Sequence, residues 1–300
     1  MGELKSIIAG VLNCSYYDAG PSDGPVVFLM HGFPYAPQVY HSVVPQLVNA
    51  GCRVITPYLR GYGPTQFVSE GTLRSGEQAA LGADLLALMD ALGVERAILT
   101  GYDWGGRAAC IVSALWPQRV IGLVTGEGYN IQNIAVADTP AHPEAERRYW
   151  YQYYFHSERG RRGLTQNRHE VGRLLWQLWS PKWTFDEEIY RRCAKAYNNK
   201  DYVDVVIHSY RHRYALVDGD PAYTDIETQL AAQPVIKVPA LGLFGGANGV
   251  AGPCSEHLDR AKFSERYDAR VLANVGHNIP LEAPEAFAGA ALELLEREQN

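Results

Sequence analysis

An α/β fold, with a mostly parallel sheet flanked by helices and an inserted helical cap, is what three features of this 300-residue sequence predict. First, short β-branched or apolar runs at 26–30, 52–57, 97–101 and 120–125 alternate with helix-patterned segments, a β-α-β-α rhythm that requires parallel strands and right-handed crossovers. Second, the rhythm stops near residue 139, gives way to helical segments rich in aromatics and arginine, and resumes with an apolar run at 238–244. Third, Gly101-Tyr102-Asp103-Trp104-Gly105-Gly106 follows the third of those strands and opens a helix, a strand–sharp turn–helix junction. The predicted division is a core of 1–138 and 229–300 and a cap of 139–228.

The opening residues alternate loosely up to the turn-rich Gly20-Pro21-Ser22-Asp23-Gly24-Pro25, which suggests an antiparallel pair at a sheet edge, with a first strand in the apolar run 7–12. Val26-Val27-Phe28-Leu29-Met30 is apolar throughout, as a strand covered on both faces should be, and runs into His31-Gly32-Phe33-Pro34. Loops at the carboxyl ends of central parallel strands are where such sheets hold their sites. His31 there is expected to be a structural hydrogen-bonding residue. A helix is predicted over 39–49 and a glycine-punctuated loop at Arg60-Gly61-Tyr62-Gly63. Ser75 and Gln78 suggest a capping box, and Leu81, Leu85, Leu88 and Leu92 recur at helical spacing after it. A helix of about 104–116 follows the elbow, and Glu127 stands just beyond the strand at 120–125. The last strand, near 268–272, leads to Gly276-His277-Asn278, and Pro284 opens a terminal helix to about residue 297.

Composition narrows the function. The sequence is 47% hydrophobic, enough for a large core, and carries a formal net charge of −6 without a basic arm, which argues against nucleic acid as a partner. No apolar run approaches the length of about 20 residues that spans a bilayer, and the N-terminus lacks the pattern of a signal peptide. The five cysteines are scattered without Cys-x-x-Cys spacing, which fits reduced, buried thiols in a cytoplasmic protein and offers no metal site. No cofactor motif is present. The expected partner is a small apolar or aromatic molecule, suggested by the aromatic cap; a homodimer is compatible with the sequence.

The chemistry centres on Asp103. Residues 101–105 have the Gly-x-nucleophile-x-Gly spacing of a nucleophile elbow, with aspartate in the central position. With a reference pKa of about 3.9 the side chain is already a carboxylate at neutral pH and needs no base before it attacks. Against an acyl group it would form only a labile anhydride, so its natural target is a saturated carbon with a leaving group, such as an epoxide or alkyl halide. The competing use of Asp103 is as a helix cap.

With His31-Gly32-Phe33-Pro34, Arg60-Gly61-Tyr62-Gly63, the Asp103 elbow and Gly276-His277 in that order, the chain resembles the α/β-hydrolase superfamily, and more narrowly its epoxide hydrolase and haloalkane dehalogenase branch. The resemblance implies an eight-stranded, mostly parallel sheet with a helical lid, and a two-step reaction through an alkyl-enzyme ester. It assigns the amides of Phe33 and Trp104 to an oxyanion hole, His277 to water activation, and Tyr151 and Tyr210 of the cap to the epoxide oxygen. Phe33 after His-Gly favours the epoxide hydrolases. Halide displacement is the alternative, with Trp104 and one of Trp150, Trp176, Trp179 or Trp183 as halide donors. A ligand-binding protein that keeps the fold without turnover is the alternative from another class. The acid that usually orients the histidine is absent, since the matching position is Asn248, and Glu127 is expected to replace it.

Overall fold

The computed structural model describes residues 1–252 and 259–299. β1 (Glu3–Ala9) and β2 (Leu12–Ala19) form an antiparallel hairpin, paired from Glu3 with Asp18 to Ala9 with Leu12. Its turn is Gly10-Val11, with Gly10 in the left-handed region at φ 57°, so the apolar run 7–12 contains a reversal and is shared by two strands. β3 (Val26–Met30), β4 (Arg53–Pro57), the short β5 (Gln66–Phe67), β6 (Ala97–Gly101), β7 (Val120–Gly126), β8 (Ala240–Gly245) and β9 (Tyr267–Leu272) follow. Among the described residues the sheet runs β1-β2-β4-β3-β6-β7-β8-β9, with β5 pairing β2 off this path. β2 meets β4 antiparallel, and every pairing from β4 onward is parallel. The central strands β3 and β6 are buried along almost their whole length because helices cover both faces.

Those helices are α1 (Val43–Asn49), α2 (Gln78–Ala91), α3 (Asp103–Leu115), then α4 (Pro143–Arg148), α5 (Trp150–His156), α6 (Glu158–Trp179), α7 (Glu187–Ala194), α8 (Tyr202–His212) and α9 (Thr224–Ala231), and finally α10 (Ile279–Glu282) and α11 (Pro284–Gln299). The helix predicted over 39–49 is divided into a 3₁₀ turn, Pro37–Tyr40, and α1. The capping box at Ser75 does not form. Glu77 holds the N-cap position and the Ser75 hydroxyl donates to its carboxylate, while Glu227 of α9 accepts from the Ala79 amide at 3.0 Å. The start of α2 is therefore capped from a distant segment, which local spacing does not reveal.

Helices α4 to α9 all lie between β7 and β8 in the chain, where the sequence predicts the cap. This inserted segment reaches the β3–α1 loop directly: Trp176 Nε1 of α6 and the hydroxyl of Tyr197, in the 3₁₀ turn Lys195–Asn198 after α7, both donate to the Pro34 carbonyl. Behind the sheet ends, Arg60 is fully buried. It donates to both oxygens of Asp84, to the Ser75 carbonyl and to the Tyr223 hydroxyl, binding the loop after β4 to α2 and to the segment entering α9.

Glu77, His212 and Glu227 bring one ligand-type atom each within 4.8 Å of one another, but Glu77 and Glu227 are engaged by Ser75, Asp220, Gln78 and Ala79. The cluster joins α2, α8 and α9. Cys14, Cys52, Cys110 and Cys193 are buried free thiols; Cys254 lies outside the described residues. No described helix is long and apolar enough to cross a membrane.

Candidate active site

The turn from β6 into α3 places Asp103 at φ 52°, a left-handed conformation that a non-glycine residue adopts at an energetic cost. Its neighbours explain why the motif needs glycine. A Cβ at Gly105 would lie 2.0 Å from the Met30 carbonyl oxygen, and one at Gly101 would lie 2.5 Å from the Gly105 carbonyl carbon. With both side chains absent, β3, β6 and α3 close on one another and Asp103 is carried clear of the turn. Its Oδ1 accepts from the Phe33 amide at 2.7 Å and the Trp104 amide at 2.6 Å. Tyr102 occupies the N-cap position of α3, so Asp103 is not the cap.

The other oxygen, Oδ2, lies 3.6 Å from His277 Nε2. Burial pushes the Asp103 carboxyl up, but the His277 ring, the Arg107 cation and the Phe33 amide outweigh it and hold the group below its ordinary value. His277 is held through its backbone: its amide donates to the Trp179 carbonyl, while Glu282 accepts from the amides of Gly276 and Asn278 on either side. His31, by contrast, is locked away from chemistry. Its Nε2 accepts from the Leu59 amide and its Nδ1 faces the Gly32 carbonyl, and burial lowers its pKa to about 4. It is a neutral structural imidazole.

Glu127 and Asn248 are both present at the site, in a different arrangement from the one expected. The sequence predicts that the Glu127 carboxylate orients His277 directly, but its oxygens lie beyond ion-pair distance of the ring, with the Asn248 amide between them. Asn248 Nδ2 is 2.7 Å from Glu127 Oε1 and 3.1 Å from His277 Nδ1. Asn248 Oδ1 accepts from the amides of Val250 and Ala251, which fixes the orientation of the side chain. Nδ2 is therefore a donor toward Nδ1, and His277 carries its proton on Nε2. Burial raises the Glu127 carboxyl, opposed by His277, the Gly245 amide and Asn248.

The cap tyrosines come together above this centre. Tyr151 and Tyr210 are packed edge to face with centroids 5.4 Å apart, and each ring packs on Phe33. The Tyr151 hydroxyl accepts from Gln152 Nε2, whereas the Tyr210 hydroxyl is buried without a partner among the described residues. Burial raises both phenols, so both remain protonated donors at neutral pH. Of the tryptophans, Trp176 spends its N–H on Pro34, Trp150 is partly exposed and Trp183 stacks on Trp176. Trp179 packs edge-on against His277, and Trp104 Nε1 is buried without a partner among the described residues.

A cavity of about 440 Å³ opens onto Asp103, Tyr151 and His277. Its wall is more polar than the apolar or aromatic pocket that the sequence predicts, and it contains two residues that motif reading misses, Arg107 and Arg213. Spacing carried a signal for both. Arg107 is one turn beyond Asp103 on α3, and Arg213 is three residues beyond Tyr210, so each shares the face of a residue already marked.

The model of the alpha/beta hydrolase fold family matches residues 25–284. Epoxide hydrolase B of Mycobacterium tuberculosis (strain ATCC 25618 / H37Rv) is 32% identical over 166 residues, covering 48% of this chain and 46% of that protein. Epoxide hydrolase 3 of Siraitia grosvenorii is 32% identical over 143 residues, covering 48% of this chain and 42% of its own. The chain thus spans a little under half the length of the curated relatives it matches. A solved structure from Klebsiella pneumoniae subsp. pneumoniae, provisionally described as an epoxide hydrolase, is 44% identical with a TM-score of 0.95, covering 99% of this chain and 98% of that one. Taken with the aspartate elbow, the match over most of the sequence shows that the chain belongs to the alpha/beta hydrolase fold family, among its epoxide hydrolase relatives.

Proposed function

We propose that the protein opens an epoxide through a covalent ester on Asp103 and hydrolyses that ester to a diol. The observation that carries this reading is the division of labour within one carboxylate: Oδ1 is occupied by two backbone amides, while Oδ2 is left facing the cavity and His277. Oδ2 attacks an epoxide carbon, the C–O bond of the ring breaks, and the leaving oxygen takes a proton from Tyr210 or Tyr151. A phenol, with a reference pKa of about 10, is a suitable acid for a far more basic alkoxide.

Water then attacks Cγ of the ester as His277 takes its proton, and the charge that develops on Oδ1 falls on the amides of Phe33 and Trp104. Collapse passes that proton from His277 to the departing alkoxide, and the second proton of the water, left on the Asp103 carboxyl, goes to the tyrosinate, which restores both the carboxylate and the phenol. The product keeps Oδ2, and the oxygen of water remains in Asp103. Residues 139–228 serve as the cap, holding both tyrosines over the nucleophile and excluding bulk water. Glu127 acts on His277 through Asn248. Because the amide favours the Nε2-protonated ring, the histidine must exchange its proton before it can accept one from water, and ester hydrolysis is the slower half of the cycle.

A single turnover of an aryl or alkyl epoxide in ¹⁸O-water tests this. The expected result is ¹⁸O in the Asp103 peptide and none in the first equivalent of diol. Label in the diol alone would mean direct attack by water and would overturn the ester. Asp103→Asn should form neither adduct nor diol.

A further inference from the structure

Two cations face the reaction centre without an ion-pair partner among the described residues. Arg107 is 8% exposed, and its Nε donates to the Asn130 carbonyl at 3.1 Å. Arg213 follows the last turn of α8 with its guanidinium carbon 4.3 Å from the centre of the Tyr210 ring, and its Nε and Nη2 are buried with no partner among the described residues. No described carboxylate forms an ion pair with either. Both guanidinium groups line the cavity that opens on Asp103. They are close enough to oppose each other: burial and the charge of Arg213 lower Arg107 to about 10, against the pull of Asp103.

Such an arrangement is expensive for a protein that uses it only for packing, because Arg107 is a buried charge and Arg213 a partly buried one, and an uncompensated buried charge is strongly destabilising. Nor is Asp103 its full counterion. That carboxylate is one charge facing two, its oxygens are directed at two amides and at His277, and on alkylation it becomes a neutral ester. During the covalent stage the cavity would hold two cations and, of the described carboxylates that line it, only Glu127, whose Oε1 is already engaged by the Gly245 amide and Asn248. The stacking of Arg213 on Tyr210 occupies only the face of the guanidinium. Its N–H edge stays free for an acceptor in the plane, the geometry a carboxylate matches.

We infer that the cavity is built for an epoxide bearing a carboxylate, which sits between Arg107 and Arg213 while the epoxide ring lies against Asp103 and the two tyrosines. The inference rests on the proposed epoxide chemistry and replaces the apolar or aromatic substrate that the aromatic cap suggests. Anchored in this way, the substrate is oriented by its charged end, and the open carbon is presented to Oδ2 by distance from the anchor.

The test compares three epoxides of one skeleton, carrying a carboxylate, a phosphonate or a neutral carboxamide, with the intact protein. The carboxylate should exceed the carboxamide in kcat/KM by about 10- to 100-fold, the range expected for charge-assisted hydrogen bonds, with most of the difference in KM. In Arg213→Gln and in Arg107→Gln that ratio should collapse toward one, and Arg213→Lys should restore part of it. A ratio, measured within each variant, is insensitive to how much of the variant is correctly folded. Equal use of carboxylate and carboxamide by the unaltered protein would overturn the inference and leave the epoxide reading standing, as would a preference that survives both arginine substitutions. A phosphonate used better than the carboxylate would overturn the assignment of a carboxylate. If none of the three gives a diol or an Asp103 adduct, the epoxide reading fails, and calorimetric binding of the matching 2-hydroxy carboxylate decides the anion site alone. Binding that is lost in Arg213→Gln supports it, and absence of binding overturns it.

Discussion

Asn248 and an aspartate have nearly the same shape, but only the amide can donate to Nδ1 of His277. Asn248→Asp should place a proton on Nδ1 and leave Nε2 free to accept one from water, so that ester hydrolysis accelerates by about tenfold or more, reversing the logic of the serine-protease Asp-to-Asn case. A second carboxylate beside Glu127 would favour a shared proton, so the gain should be larger in Asn248→Asp with Glu127→Gln, read from the decay of the covalent ester after rapid mixing. Ester formation should behave differently with pH. Because the Asp103 carboxyl lies below its ordinary value, its charged form persists as pH falls past that value, and the acid limb of adduct formation should have its midpoint below that of an ordinary aspartate. A profile that falls with a midpoint above 5 would assign the nucleophile's control to another group. At this scale the meeting of Asp103 and His277 was legible because residue type and motif spacing carry it, while the two cap tyrosines came from the family resemblance alone. The Asn248 bridge was not, since which of two side chains stands nearer a ring depends on the relative reach of the β7 and β8 loops.

Elements hold the site through a few close approaches. Gly105→Ala should cost about 2–4 kcal/mol in unfolding experiments, because the added carbon meets the Met30 backbone, which has no rotamer with which to yield. The β3–α1 loop depends on a different device, two cap side chains donating to one carbonyl of Pro34. Trp176→Phe and Tyr197→Phe should each lower stability by about 1 kcal/mol. Together they should slow ester hydrolysis more than stability predicts, because the Phe33 amide is carried by that loop. The strands and long helices were legible in their period. The start of α2 was misread because its first free amide is satisfied by Glu227, almost 150 residues away, and the hairpin turn at Gly10 was hidden within a run of apolar residues.

Across the whole molecule, core and inserted helices are joined by buried polar ties as well as by packing. Arg60 is the clearest case, since it connects the loop after β4, α2 and the approach to α9. Arg60→Met removes a cation while leaving Asp84 beneath it, and should destabilise the fold by about 3–5 kcal/mol in denaturant titrations. The overall division of the chain was legible because a parallel α/β rhythm is easy to see interrupted. The polarity of the cavity was not, because the aromatic residues that dominate the cap's composition are largely spent on internal packing, and the two arginines that reach the reaction centre come from opposite sides of the division.

The buried thiols bear on what this chemistry demands of the rest of the chain. An epoxide is an alkylating agent, and a cysteine thiolate is the protein nucleophile it most readily attacks. Burial raises Cys14 to about 12 and Cys110 to about 11, and it raises Cys52 and Cys193 as well, so these four sulfurs are both shielded and protonated at neutral pH. On the proposed chemistry, an enzyme that holds a reactive electrophile at every turnover would in this way be protected from its own substrate. In a Cys254→Ser background one equivalent of epoxide should leave a single adduct, and peptide mapping should place it on Asp103.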